Sequence, residues 1–310
     1  MTSPLTLRRL VVVAPLLALS AACASTGRSP EDAVREESAG ALDSATFRAA
    51  PESAAVQVVP TRAPDVIFVP TPVAVVEQML TLADVGSGDV VFDLGSGDGR
   101  IVIGAAKRGA KAVGIDIDPK RIAESRANAD TAKVTDRVEF RHGDLFQTDL
   151  RSANAVTLYL LPTLNVKLRP KLFEELRPGT PVVSNSFDMG DWKPDSTVQV
   201  EGRSVHLWII PAKVDGPWKV TVGEGESAAT STLSLEQAYQ QLTGSMTTGE
   251  RTSPVTDGQV RGTRVHFTVR DSTAAGSVPV TFDGEVKGNT ITGTVTRTGA
   301  GGTSSFRATR

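Results

Sequence analysis

The sequence predicts two folded units in succession, an α/β unit with a mostly parallel sheet and then a small antiparallel all-β barrel or sandwich. Between residues 66 and 212, short β-branched runs alternate with helical stretches, which is the pattern of a sheet covered by helices. From residue 213 to 310, helical periods almost vanish and apolar residues alternate with threonine, serine and glycine. A length of 310 residues with 40% apolar residues is enough for two buried cores.

The α/β unit is expected to hold five parallel strands followed by an antiparallel hairpin around Gly202 and Arg203, which makes a seven-stranded sheet. Thr71 and Pro72 are expected to open the first helix, as a capping hydroxyl and a proline at the first helical position. The strands are expected at 90–94, 112–116, 137–141, 155–160, 181–186, 197–201 and 204–210, and the helices at 72–83, 100–108, 119–133 and 164–176.

The β-rich unit contains an internal repeat that predicts two hairpins. Residues 258–269 match residues 284–295 position by position, and each copy has a strand, a tight turn at Gly262 or Gly288 and a returning strand. Further candidate strands bring the total to seven or eight. They lie at 218–223, 231–236, 240–247, 278–283 and 304–309. This turn spacing resembles that of lipocalin-like barrels.

The first 65 residues are interpreted as an export signal, residues 1–23, followed by a disordered tether, residues 24–65. Two arginines precede an apolar run that is short for a bilayer span and has the order of a secretory signal. The run ends on small residues before Cys23, the single cysteine, and resembles a bacterial lipobox in which Cys23 is lipidated. Ser20 departs from the aliphatic residue usual in that motif, and an ordinary cleaved signal peptide is the alternative.

Composition and charge exclude several function classes. A net charge of −2, a pI of about 6.0 and 5% aromatic residues argue against a nucleic-acid partner, which calls for basic faces and stacking platforms. One cysteine and three histidines exclude a disulfide scaffold, a thiolate zinc site and a dithiol redox centre. No metal is expected.

The most informative stretch runs from a predicted strand through Asp93 into three alternating glycines and a helix. Gly95 and Gly97 let the backbone turn sharply and approach a ligand without a Cβ in the way. The next strand ends in Asp116 about twenty residues later, where a doubly wound fold puts a carboxylate within reach of ribose hydroxyls. Asp93 and Asp98 would repel a pyrophosphate and suit an ammonium group, which argues against a dinucleotide dehydrogenase.

These residues resemble the class I S-adenosylmethionine-dependent methyltransferases, over residues 66–212. DLGSGDGR at 93–100 and VGIDIDP at 113–119 match their GxGxG signature and ribose-binding strand end. The resemblance implies a Rossmann-like seven-stranded sheet and S-adenosylmethionine as methyl donor, with Asp144 on the adenine amino group and Ile117 and Phe146 beside the ring. The donor-binding residues implied are Thr71, Asp93, Gly95, Ser96, Gly97, Asp116, Ile117, Asp144 and Leu145.

Two further stretches resemble a subset that includes protein-lysine methyltransferases and bacterial relatives. Residues 68–72 resemble a segment that lines the donor site in that subset, and residues 157–172 resemble the lysine-modifying group as well. Tyr159, at the end of the fourth strand, is the candidate for shaping the acceptor channel, and a tyrosine that only packs is the alternative. The expected acceptor is a protein amine, namely lysine. The two alternatives are a small-molecule methyltransferase and a non-catalytic envelope lipoprotein whose fold binds a ligand or partner.

The export signal conflicts with a donor that is made in the cytoplasm. The expected location is the cell envelope, with a lipoprotein anchored through Cys23 on the periplasmic or outer face, and a cytoplasm-facing anchor is the alternative. The expected partners are a protein or small-molecule methyl acceptor and the membrane, without nucleic acid, and the protein is expected to be a monomer.

Overall fold

The computed structural model describes residues 66–223, 228–273, 276–298 and 302–310. The predicted signal, Cys23 and the tether lie outside the described residues. All of these described residues fall in one compact unit. None of the helices in these ranges has both the length and the apolar character needed to span a bilayer.

The first part of the described chain is a seven-stranded sheet with helices on both faces, as predicted. Its strands are Val90–Leu94 (β1), Lys111–Asp116 (β2), Val138–His142 (β3), Ala155–Leu158 (β4), Pro181–Asn185 (β5), Ser196–Val200 (β6) and Arg203–Ile209 (β7). Its helices are Val73–Leu82 (α1), Arg100–Lys107 (α2), Pro119–Thr131 (α3) and Pro162–Glu175 (α4). The strand order is β3-β2-β1-β4-β5-β7-β6, with β1 to β5 parallel and β7 antiparallel to both neighbours.

Burial on both faces explains why the central strands read as continuous apolar runs. All of β4 and all but the first residue of β1 and β5 are buried. One core packs α1, α2 and α3 against one face, and a second core packs α4, Trp192 and Trp208 against the other. The strand order reverses between β1 and β4, and an open α/β sheet binds ligands at the carboxyl ends of the strands at such a point.

The predicted cap of the first helix is wrong. The N-cap residue of α1 is Pro72, and no side chain caps the helix. Thr71 is buried, its carbonyl accepts a hydrogen bond from Arg100 Nη1 at 2.6 Å, and its hydroxyl oxygen accepts one from Asn185 Nδ2 at 3.4 Å. Since these contacts hold Thr71 toward α2 and β5, its hydroxyl is not available to the first turn of α1.

The second part is a closed eight-stranded barrel, which decides between the two predicted architectures. Its strands are Gly216–Val222 (β8), Ala229–Ala238 (β9), Gln241–Thr248 (β10), Arg251–Arg261 (β11), Arg264–Thr273 (β12), Gly276–Lys287 (β13), Thr290–Arg297 (β14) and Thr303–Thr309 (β15). They close in the order β10-β11-β12-β13-β14-β15-β8-β9. Both predicted hairpins are present, because β11 pairs with β12 and β13 pairs with β14 across the Gly262 and Gly288 turns.

Side chains fill the interior of the barrel. Trp218, Phe267, Phe282 and Phe306 are buried in its core, and the rings of Phe267 and Phe282 stack with centroids 4.8 Å apart. Eight strands enclose a space that side chains can just fill. The barrel is therefore held by an apolar core of its own.

Candidate active site

A pocket of about 840 Å³ opens beside the carboxyl ends of β1, β2 and β4, a volume within the range of small-molecule sites. Nine of the ten predicted donor- and acceptor-side residues line it, namely Thr71, Asp93, Gly95, Ser96, Asp116, Ile117, Asp144, Leu145 and Tyr159. The switch point of the sheet and the residues predicted from the sequence therefore lie at the same place.

Gly97 is the predicted residue that does not line the pocket. Its φ is +53°, and a Cβ at this position would overlap the ring of Phe68, a pocket residue from the segment before α1. The Arg121 guanidinium lies 4.8 Å from the centroid of the same ring. The missing side chain of Gly97 thus makes room for Phe68, whereas the sequence argument assigned that space to a ligand.

The Asp116 carboxylate is held by backbone groups on both oxygens. The Gly97 N–H donates to its Oδ2 at 2.8 Å, and the Asp118 N–H donates to its Oδ1 at 2.9 Å. A carboxylate has about four lone-pair positions, so further donors in the pocket can still be bound. The glycine loop therefore orients Asp116 before any ligand arrives.

Asp93 is a buried carboxyl group at the base of the pocket, 2% exposed. Burial raises its pKa to about 7, the charges of Asp116 and Asp98 act in the same direction, and a hydrogen bond from Thr157 Oγ1 at 2.7 Å partly opposes them. Thr157 escaped the sequence analysis, although it is the polar residue of the apolar strand β4 and pairs in register with Asp93. A cationic group in the pocket would favour the charged form of Asp93.

Asp98 is already paired within the protein. Burial alone would raise its pKa, but hydrogen bonds from Arg100, at 2.5 Å from Nη2, outweigh burial and hold the pKa below its ordinary value. The Asp98 carboxylate, which was expected to bind the ammonium group of a ligand, therefore forms an ion pair with Arg100.

The Ser96 hydroxyl is a buried polar atom on the pocket wall that has no hydrogen-bond partner among the described residues. Such atoms are few in folded proteins because an unmade buried hydrogen bond is costly. Gly114 makes room for it, since a Cβ there would lie 2.8 Å from Ser96 Oγ. The Ser96 hydroxyl therefore lies against β2, while other atoms of Ser96 line the pocket.

Asp144 and its neighbours form another wall of the pocket. Asp144 Oδ1 accepts a hydrogen bond from the Phe146 N–H at 2.9 Å, which starts the short 3-10 turn Leu145–Gln147. Ile117 and Phe146 line the pocket, as expected for residues beside a flat ring, and Lys167 Nζ lies 4.3 Å from the centroid of the Phe146 ring.

Another part of the pocket, lined by Tyr159, Leu160, Leu161 and Phe187, is aromatic and apolar. The Tyr159 ring stacks on Phe187, with centroids 6.2 Å apart and planes 22° from parallel. Its phenol oxygen accepts a hydrogen bond from Arg203 Nη1 at 2.7 Å. Tyr159 both packs and lines the pocket, so the two interpretations of this residue are compatible. Phe187 and Arg203 were not predicted, because they follow β5 and begin β7, far along the chain.

No group of three or more histidine, cysteine, aspartate or glutamate side chains within the described ranges could hold a metal ion. The pocket is lined by carboxylates, hydroxyls, backbone groups and aromatic rings, which suit a polar, ring-bearing ligand.

Comparison with known proteins identifies a family. The model of the ANTKMT methyltransferase domain matches residues 93–196. The chain is 44% identical over 153 residues to a protein-lysine N-methyltransferase of Saccharolobus islandicus (strain REY15A), covering 47% of this chain and 95% of that protein. It is 35% identical over 143 residues to the adenine nucleotide translocase lysine N-methyltransferase of Mus musculus, covering 46% of this chain and 61% of that protein.

Among solved structures, an RNA methyltransferase from Salinibacter ruber in complex with S-adenosyl-L-homocysteine is 60% identical, with a TM-score of 0.46, covering 47% of this chain and 96% of that one. The match to the archaeal relative takes in almost its whole length, whereas the chain spans about three fifths of the mouse one. The carboxylates and apolar walls of the pocket fit S-adenosylmethionine. The chain belongs to the class I S-adenosylmethionine-dependent methyltransferases, in the family of the protein-lysine N-methyltransferases.

Proposed function

We propose that the chain transfers a methyl group from S-adenosylmethionine to the ε-amine of a lysine in a protein. The observation that carries this proposal is the two-ended pocket, in which an acidic, hydrogen-bonding end lies beside an aromatic, apolar end at Tyr159 and Phe187. Relatives that match nearly half of the chain carry the names of lysine methyltransferases.

The acidic end has a separate role for each part of the donor. Asp116 would accept the ribose hydroxyls, while Asp93 would bind the amino-acid tail, with Ser96 in the adjoining wall. The adenine would lie near Asp144, with Ile117 and Leu145 beside it, and Gly95 and Thr71 would form the adjoining wall. When bound, the donor supplies a sulfonium methyl group that is already activated for transfer. Holding donor and acceptor in line can supply roughly 7–11 kcal/mol of the barrier.

The apolar end suits a lysine side chain, because the amine has to lose a proton before it attacks. Leu160, Leu161 and Phe187 line this end, and apolar surroundings lower the pKa of an amine by disfavouring its charged form. The Tyr159 oxygen uses one lone pair for Arg203. The second lone pair is available to orient the N–H of a neutral amine.

The charges of the pocket favour a cationic acceptor over a nucleic acid. Five aspartates and two arginines line it, namely Asp93, Asp98, Asp116, Asp118, Asp144, Arg100 and Arg121. Asp98 is paired with Arg100 and the pKa of Asp93 is raised to about 7, so the net negative charge rests mainly on the other three carboxylates. A negative cleft attracts a lysine-bearing chain and repels a phosphate backbone.

The test is methyl transfer from tritium-labelled S-adenosylmethionine to poly-L-lysine, with poly-L-arginine and total RNA as parallel acceptors. The proposal predicts label in poly-L-lysine that is released as methyllysine on hydrolysis. Asp136 is an exposed carboxylate in the turn before β3. The variant Asp136→Ala therefore serves as the matched control for substitutions in the pocket. Label in RNA alone, or in none of the three polymers, contradicts the lysine assignment.

We further propose that the chain is an envelope lipoprotein, lipidated at Cys23 and monomeric, with residues 24–65 as a tether. The support is the charge-then-apolar order of the first residues and the small residues before the single cysteine. Cys23→Ser is expected to release the protein from the membrane fraction, and light scattering of the released protein should give the mass of one chain. If the variant stays in the membrane fraction, the anchor is an uncleaved apolar segment.

A further inference from the structure

Residues 186–195 connect β5 to β6 and are named the β5–β6 loop. This loop carries one wall of the apolar end of the pocket, which is named the acceptor end because the lysine is proposed to bind there. It begins with Ser186, whose φ is +67°, and continues into Phe187, which stacks on Tyr159. Asn165 of α4 donates hydrogen bonds through Nδ2 to the carbonyls of Phe187 at 3.3 Å and Asp188 at 3.1 Å. The position of Phe187 therefore depends on how the β5–β6 loop is held.

The barrel holds the far side of this loop. Tyr239, in the turn between β9 and β10, donates a hydrogen bond from its hydroxyl to Asp191 Oδ2 at 2.8 Å. Its ring stacks on Trp192 with centroids 6.1 Å apart. Next to it, Gln240 Nε2 donates to the carbonyl of Lys193 at 2.6 Å. Two successive residues of one barrel turn thus hold three successive residues of the β5–β6 loop.

Helix α4 contacts the β5–β6 loop as well, through Arg169. Arg169 donates to the Met189 carbonyl at 2.9 Å and pairs with Asp191, and its guanidinium carbon lies 5.3 Å from the centroid of the Tyr239 ring. Hydrogen bonds from Arg169 and Tyr239 hold the pKa of Asp191 at about 2. Asp191 therefore stays charged and bound to both partners at any ordinary pH.

The backbone of the barrel turn is strained at the contacting residue. Tyr239 has a φ of +57°, in the left-handed region where glycine or asparagine is usual in a two-residue hairpin turn. A bulky residue in that region costs free energy and persists where its surroundings require it. What Tyr239 provides at this position is its ring and hydroxyl, both of which bind the β5–β6 loop.

Methyltransferases of this family do not need a barrel as such. The archaeal relative is covered over 95% of its length by a match that takes up 47% of this chain, so it has no room for eight further strands. The barrel is an addition to the methyltransferase sheet, and in this chain it holds a loop that reaches the acceptor end of the pocket.

We propose that Tyr239 is a positioning residue that fixes the β5–β6 loop through Asp191 and thereby sets Phe187 beside Tyr159 for the acceptor. The inference rests on the proposed function, since the acceptor lysine enters past these two rings. The barrel then acts on acceptor use, and the donor end of the pocket is independent of it.

The test compares Tyr239→Phe and Asp191→Asn with Thr247→Val. The first variant keeps the ring and removes the hydroxyl. The control removes a hydroxyl at the opposite end of β10, where Thr247 and Thr252 share a hydrogen bond. Tyr239→Phe is expected to raise the KM for poly-L-lysine about 5-fold, the size expected for one partly exposed charge-assisted hydrogen bond. The Kd for S-adenosylhomocysteine, the kcat and the melting temperature are expected to match those of the control.

An unchanged KM in both variants, or an equal loss of donor binding, overturns the proposal. Hydrogen exchange separates this result from a failure of the proposed function. If the wild-type protein transfers no methyl group to poly-L-lysine, the lysine assignment fails. Faster amide exchange over residues 187–193 in Tyr239→Phe than in Thr247→Val would still support the positioning role, and equal exchange would overturn it.

Discussion

The two ends of the pocket are built in different ways. The centre of the donor end comes from one stretch of chain, residues 90–118. There β1, the glycine loop and the end of β2 bring Asp93, Ser96 and Asp116 together, and backbone N–H groups of the same stretch hold the Asp116 carboxylate. The acceptor end comes from distant parts of the chain, where Tyr159, Phe187 and Arg203 meet only in the folded sheet. The centre of the donor end is thus encoded locally, whereas the acceptor end depends on packing between β4, β5 and β7, so substitutions at the two ends should have separable effects.

The largest effect is expected for Asp116→Ala, which tests whether the donor end is as local as described. Removing this carboxylate should weaken S-adenosylhomocysteine binding about 10- to 100-fold, because hydrogen bonds to a charged group are worth roughly 1.5–3 kcal/mol. Calorimetry of the variant and of Asp136→Ala, side by side, measures the difference. If the two variants bind equally well, Asp116 is not a donor ligand.

A change of pH should act on the donor end through Asp93. Since burial raises its pKa to about 7, the carboxyl is mostly protonated at pH 6, and S-adenosylhomocysteine should bind about 10-fold more weakly there than at pH 8. In the ligand-free protein, lowering the pH has the opposite effect on stability from the one it has on ligand binding. The folded state holds a proton that the unfolded chain has lost, so the contribution of Asp93 to the free energy of unfolding grows as pH falls through 7.

The measurement is a series of calorimetric titrations between pH 6 and pH 8 on the wild type and on Asp93→Asn. The variant, which cannot ionise at this position, should lose most of the pH dependence. An identical pH profile in both proteins would mean that Asp93 does not face the ligand as a charged group.

The smallest of these effects is expected for Tyr159→Phe, which tests the acceptor end. The ring and its stacking on Phe187 remain, and the hydrogen bond from Arg203 is lost. A single hydrogen bond is worth about 1 kcal/mol, so methyl transfer to poly-L-lysine should slow about 5-fold while the Kd for S-adenosylhomocysteine stays within a factor of about two. A comparable loss of donor affinity would show that the two ends are coupled.

Features set by residues close in sequence were predicted, whereas contacts between distant segments were not. The strand, glycine loop and helix from β1 to α2, the carboxylate that ends β2 and both barrel hairpins are set by residues close in sequence, and these predictions are confirmed. Gly97 was expected to leave room for a ligand, but the ring of Phe68 occupies the space beside it. Phe68 comes from a separate segment, so the local motif did not reveal this contact. Closure of the barrel depends on the pairing of β15 with β8, two strands far apart in the chain. The alternation of apolar residues alone therefore could not distinguish a barrel from a sandwich.

The same reason explains the contacts that sequence analysis missed. Thr71 was expected to cap α1, but its partners Arg100 and Asn185 lie in α2 and β5. Tyr239 and Asp191 are 48 residues apart, and neither belongs to a motif. Side chains that meet through tertiary packing leave no local pattern.

Calorimetric titration of the purified protein with S-adenosylmethionine and S-adenosylhomocysteine shows directly whether the pocket at the ends of β1 and β2 binds the methyl donor. We predict saturable binding of both compounds at a single site per chain, with affinity that falls in Asp116→Ala and is unchanged in Tyr239→Phe. The absence of binding of either compound to the wild-type protein would contradict donor binding at this pocket.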